Sequence, residues 1–156
     1  FEPDPHSFAQ LTAAAGDLPN VTLHNAAVSV APGTLTLWRN HLFDSNTAEG
    51  STGSTIIAEN KDRNPDNAVT VPAIDLPAFL ADLLARHGRL AFLKIDIEGA
   101  EVEILERLVQ TDILPRINLT VVETHQWLFP QWQDRYDALD RIAAERPDLR
   151  LNLHWI

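Results

Sequence analysis

Lys94-Ile95-Asp96-Ile97-Glu98-Gly99-Ala100-Glu101 lies between the apolar run Leu90-Ala91-Phe92-Leu93 and the segment Val102-Glu103-Ile104-Leu105-Glu106-Arg107-Leu108. Leu93, Ile95 and Ile97 alternate as one face of a strand, with Lys94, Asp96 and Glu98 on the other. Beyond Gly99 the period changes. Ile104, Leu105, Leu108 and Val109 recur at helical spacing, with Glu103, Glu106, Arg107 and Gln110 opposite. Glu98 and Glu101 stand where a helix N-terminus, carrying roughly half a positive charge, favours anions. The pattern predicts a strand, a turn and a helix, with carboxylates at the carboxyl end of the strand. In open α/β sheets, ligands bind at that end.

Similar units extend on both sides. Asp75 predicts an N-cap for a helix with Leu76, Phe79, Leu80, Leu83 and Leu84 on one face, stopped by Gly88. Ile117 to Glu123 reads as the next strand, Asp134 to Glu145 as the next helix, and Leu149 to Trp155 as a last strand. From Val69 onward strand and helix alternate, which predicts an α/β fold with a mainly parallel sheet and crossover helices. Toward the N-terminus, Pro5 to Ala15 predicts a helix with Phe8, Leu11 and Ala15 on one face, Asp4 as N-cap and Gly16 as stop. Val21 to Val30 and Thr34 to Trp38 read as strands joined by a Pro32-Gly33 turn, a hairpin. Residues 39–68 are polar apart from Ile56 and Ile57. They read as a loop insertion in a single domain covering residues 1–156, and a loop of that length is functional or mobile.

A chain of 156 residues is long enough for one domain with its own core. Its net charge of −10 argues against nucleic acid or an anionic membrane as partner, because phosphate binding is carried by Lys and Arg. With no cysteine there is no disulfide framework and no thiolate metal site. No run approaches the roughly 18 apolar residues of a membrane helix, and no signal-peptide pattern is present, so a cytoplasmic protein is expected. A chain that begins at Phe1 and lacks methionine reads as an excerpt of a longer protein.

The eight residues from Lys94 to Glu101 resemble the signature of the FkbM-type S-adenosylmethionine-dependent methyltransferases, a family with the class I Rossmann-like fold. Phe1-Glu2-Pro3-Asp4-Pro5 resembles that family's acidic turn after its second strand, and Val121-Val122-Glu123-Thr124-His125 the end of its fifth. The resemblance runs with gaps from Phe1 to about residue 125. The family's glycine-rich turn, which should precede Phe1, is absent, so the sheet is expected to be truncated at the N-terminus. The resemblance implies an O-methyltransferase that moves a methyl group from S-adenosylmethionine to a hydroxyl of a small molecule or sugar. Alternatives are an NAD(P)-dependent Rossmann oxidoreductase, which shares an acid at the second strand, and a non-catalytic methyltransferase-like binding module.

On this resemblance Glu2 accepts hydrogen bonds from the ribose diol, since a carboxylate offers two oxygens. Asn25 and Ala26 fall where related enzymes place a polar and a small residue near the adenine. Asp96 is a candidate for both cofactor binding and catalysis, and Glu98 for catalysis. The structural alternative is a Lys94–Asp96 pair, with Glu98 merely favouring the helix start. Were these strands parallel neighbours, Asp96, Glu123 and His125 would share a sheet edge and could hold a divalent metal, since oxygen and imidazole ligands suit Mg, Mn or Zn. Their spacing matches no metal motif, so a site without metal is the favoured reading. His125 is the general-base candidate because its ordinary pKa lies near neutrality. Trp127, Phe129 and Trp132 either line a substrate pocket or belong to the core, and the core is the favoured reading.

Overall fold

The computed structural model describes residues 1–155. It forms two compact units, Phe1–Ile74 and Asp75–Ile156, each described by itself.

In the first unit, helix α1 (Pro5–Ala15) begins where expected. Asp4 accepts the backbone N–H groups of His6 and Ser7, and Pro5 fits the first turn because its missing donor would be unpaired there. Strand β1 is Ala27–Ser29, β2 is Gly33–Asn40, and β3 is Arg63–Asp75, with a single helical turn α2 (Thr47–Gly50) between the last two. The sheet order is β1-β3-β2, and β2 and β3 run antiparallel. The expected hairpin between Val21–Val30 and Thr34–Trp38 is therefore corrected, since β3 lies between β1 and β2. Pairing across the connection won over the local turn. The polar stretch 39–68 is also shorter as a loop than its composition implies, because β2 extends to Asn40 and β3 starts at Arg63. Backbone hydrogen bonds in both directions between Trp38 and Thr55 tie the stretch to β2. Ala27, Leu37 and Val71 form the buried core here, and Leu35, Ile56 and Val69 pack on it.

In the second unit, α3 (Leu76–His87) is capped by Asp75, whose carboxylate accepts the Ala78 N–H. It ends at Gly88, whose φ of 74° only glycine adopts without strain. Strand β4 (Leu93–Ile95) leads to helix α4 (Glu101–Leu108). Strand β5 (Thr120–Val122), helix α5 (Gln133–Glu145) and strand β6 (Leu151–Asn152) follow. The sheet order is β4-β5-β6, all parallel. The expected mainly parallel sheet is thus limited to three short strands in this unit, and the antiparallel β2–β3 pair belongs to a separate sheet. Strands predicted over Ile117–Glu123 and Leu149–Trp155 shrink to their paired centres. Leu105, Leu108, Leu114, Ile117, Val122, Phe129 and Leu149 are fully buried. No helix among the described residues is long and apolar enough to cross a membrane.

Candidate functional site

Parallel pairing of β4 with β5 aligns Ile95 with Val122, so the chain leaves both strands at the same edge of the sheet. Asp96 follows one strand, and Glu123 and His125 follow the other. The turn from β4 into α4 is tight. Gly99 has φ of 104°, and a Cβ there would overlap the ring of Phe129. Both the conformation and the close approach require glycine. Glu98, just before it, has φ of 53°, the left-handed region that a non-glycine residue enters at a cost of about 1 kcal/mol or more. That backbone turn swings the Glu98 carboxylate toward His125, whose Nε2 is 3.4 Å from Glu98 Oε2. Asp96 Oδ1 lies 4.0 Å from the same nitrogen.

Glu101 holds this corner together. It is the first residue of α4 and is fully buried. Its Oε2 accepts the Gly99 N–H at 2.7 Å, and its Oε1 accepts the His125 N–H at 2.8 Å and the Tyr136 hydroxyl at 3.3 Å. A buried carboxylate is tolerable only with such donors. Oε1 also faces His125 Nδ1 at 3.4 Å. That nitrogen makes no hydrogen bond by geometry, and the contact is an ion pair only when the imidazole is protonated.

The electrostatics follow from the packing. Burial opposes a charge on His125, but the Glu101 carboxylate and then Glu98 and Asp96 outweigh it, holding its pKa above the ordinary histidine value. Burial pushes the Glu98 carboxyl up; His125 pulls the other way, and Asp96, Glu101 and Glu123 add repulsion. Burial, then Glu101, pushes the Tyr136 phenol far up, so it remains a donor. Lys94 pairs with Asp96 Oδ2 at 2.9 Å on an exposed surface, and Glu123 Oε2 lies 3.7 Å from the same ammonium. Glu123, the acid expected beside Asp96 and His125, faces Lys94 instead. Asp96, Glu98 and His125 have ligand atoms all within 4.8 Å of one another, with Glu98 in the place expected for Glu123.

The aromatic cluster divides. Phe129 is core and stacks on Trp132 at 4.5 Å, whereas Trp127 is 63% exposed and tilts against His125 at 5.2 Å.

In the first unit, Asn25 Nδ2 donates to the backbone carbonyls of Glu2 at 2.8 Å and Pro3 at 3.1 Å. Glu2 N–H donates to His24 O, and Glu2 Oε1 accepts the Asp4 N–H at 2.7 Å. Asn25 therefore fixes the turn that carries Glu2. Ala26, beside it, is buried just ahead of β1. Burial raises the Glu2 pKa, with the Asp4 N–H acting against it and the Asp4 charge adding to it. Asp4 is buried and receives Arg39 Nε at 2.6 Å.

Sequence reasoning missed Glu101, Tyr136 and Arg39 as organising residues. The signal for Glu101 was available: positions 101, 104, 105 and 108 share one helix face, and an acid in that apolar stripe must be satisfied internally. Arg39 gave no local signal, since its partner Asp4 is distant in sequence.

Short parallel strands with an acid–imidazole cluster at their carboxyl edge are the arrangement from which α/β proteins build ligand sites. The model of the FkbM methyltransferase domain matches residues 1–148, and the chain belongs to that family. No curated protein and no solved structure matches it.

Proposed function

We propose that this protein is an S-adenosylmethionine-dependent O-methyltransferase, and that Asp96, Glu98 and His125 receive the acceptor hydroxyl and its proton. The observation that carries the reading is the convergence of these side chains at the carboxyl ends of β4 and β5, with ligand atoms within 4.8 Å of one another. S-adenosylmethionine, when bound, supplies an electrophilic methyl group on a sulfonium. Glu2 fits its ribose: one carboxylate oxygen is held by the Asp4 N–H, the turn is fixed by Asn25, and a carboxylate has a second oxygen to offer a diol. Ala26, beside Asn25, is small and buried.

A neutral hydroxyl is a poor nucleophile, and the chain's task is to hold it in line and to assist loss of its proton. Asp96 and Glu98 provide oxygens that accept the hydroxyl's hydrogen bond. His125, oriented through Glu101, faces both. The acceptor is a hydroxyl of a small molecule or glycan. Membership in a methyltransferase family supports this reading over a dinucleotide oxidoreductase.

The test is incubation of the full-length protein with methyl-labelled S-adenosylmethionine and a panel of sugars, phenols and aliphatic alcohols. Label should appear in an acceptor, with equivalent S-adenosylhomocysteine released. Tight NADH binding without S-adenosylhomocysteine binding would overturn the proposal.

A further inference from the structure

We propose that Asp96 Oδ1, Glu98 Oε2 and His125 Nε2 form a binding site for a divalent first-row metal ion. The inference deepens the reading that this cluster receives the acceptor hydroxyl, and rests on it for the ion's role. His125 Nε2 is 3.4 Å from Glu98 Oε2 and 4.0 Å from Asp96 Oδ1. An ion about 2.0–2.2 Å from each ligand spaces neighbouring ligand atoms about 3.0–3.5 Å apart, so small side-chain rotations close the site.

A second observation points the same way. The His125 side chain is 4% exposed, with Nδ1 3.4 Å from the fully buried Glu101 Oε1. Its other nitrogen faces the two carboxylates, while Nδ1 faces the buried Glu101. Metal-ligating histidines commonly direct the second ring nitrogen at a carboxylate, which fixes ring orientation and tautomer. Here Glu101 is anchored by Gly99, His125 and Tyr136, so the outer carboxylate is built in. The left-handed backbone of Glu98 aims its carboxylate into the cluster rather than along the helix. Lys94 takes Asp96 Oδ2 and leaves Oδ1 toward the histidine, while Glu123 is directed to Lys94.

One imidazole with two carboxylates suits Mn, Fe or Zn better than an all-oxygen ion. Because Asp96 and Glu98 are partly exposed, coordination positions are open to water or an acceptor oxygen. A cation here would polarise the hydroxyl as a Lewis acid and lower its pKa, so that its proton leaves to solvent water on the exposed side as the O–CH3 bond forms, while His125 would serve as a ligand.

The test uses full-length protein freed of metal by chelator, titrated with Mn²⁺ by electron paramagnetic resonance and with Zn²⁺ by calorimetry. One ion per chain is expected. Asp96→Asn and Glu98→Gln should each weaken binding by about tenfold or more while circular dichroism stays unchanged. Lys94→Ala, which removes a competing cation, should bind as well as the parent or better. Absence of stoichiometric binding, or affinity unchanged in both carboxylate variants, would overturn the site. Methyl transfer at full rate after chelation would also overturn it while leaving the methyltransferase reading intact. Stoichiometric binding with no transfer to any hydroxyl acceptor would leave the metal site standing and count against the reading it rests on.

Discussion

Glu101 Oε1 accepts the backbone N–H of His125 at 2.8 Å, joining the first residue of α4 to the chain leaving β5. Together with the β4–β5 pairing, that bond fixes the imidazole relative to Asp96 and Glu98, which leave β4. The working geometry therefore depends on a residue that faces inward.

Glu101→Gln tests that dependence. One carboxylate oxygen becomes an amide donor and must face either the Gly99 N–H or the His125 N–H and Tyr136 hydroxyl. Leaving a buried donor unsatisfied should cost about 1–3 kcal/mol. Urea denaturation should register it as a lower midpoint, and an unchanged midpoint would remove Glu101 from its organising role.

Gly99 and Gly88 make a matched pair. Their φ values are 104° and 74°, so alanine is strained at either. A Cβ at Gly88 has nothing within 4 Å, whereas at Gly99 it meets the Phe129 ring. Gly88→Ala should cost about 1 kcal/mol for the backbone alone. Gly99→Ala adds overpacking of roughly 1–3 kcal/mol. Equal losses in thermal denaturation would mean that the Phe129 contact is immaterial.

Asp4 gives a pH prediction for the first unit. Burial works against its charge, but Arg39 and the N–H groups of His6 and Ser7 outweigh burial and hold its folded pKa below the ordinary value. Its contribution is therefore complete above the unfolded aspartate pKa of about 3.9 and is lost as pH falls through the folded value. Asp4→Asn keeps an N-capping side chain but removes the charge partner of Arg39, which still holds Asn67 and Phe43, so the loss should be about 1–3 kcal/mol near neutrality. The gap between parent and variant should narrow below about pH 4. A gap that stays constant down to pH 2 would rule out the charge as its source.

Features written in neighbouring residues were legible from the sequence. Asp4 and Gly16 bound α1, Asp75 and Gly88 bound α3, and the Gly99 turn into α4 follows from a change of period and a glycine. Sheet order was not legible. Val21 and Leu23 have the composition of a strand, but β3 pairs with both β1 and β2 across a long connection, and no local signal encodes that choice. Asp96 and His125 could be placed on one edge once β4 and β5 were read as parallel. Which acid joins them could not, because that depends on the backbone of Glu98 and on Lys94 drawing Glu123 away. The aromatic cluster divided for a similar reason: Phe129 fills the space over Gly99, whereas Trp127, two residues earlier, is exposed against His125.

Asp96→Asn in the full-length protein tests the central claim most directly, with melting temperature and methyl-transfer rate measured on the same sample. The Lys94–Asp96 pair is exposed on both sides, at 42% and 38%, and such pairs contribute about 0–1 kcal/mol. The variant should therefore melt within a few degrees of the parent, while transfer to a hydroxyl acceptor falls by about a hundredfold or more. Normal turnover with a markedly lower melting temperature would make Asp96 a structural residue and contradict the assignment of the β4–β5 edge as the reacting centre.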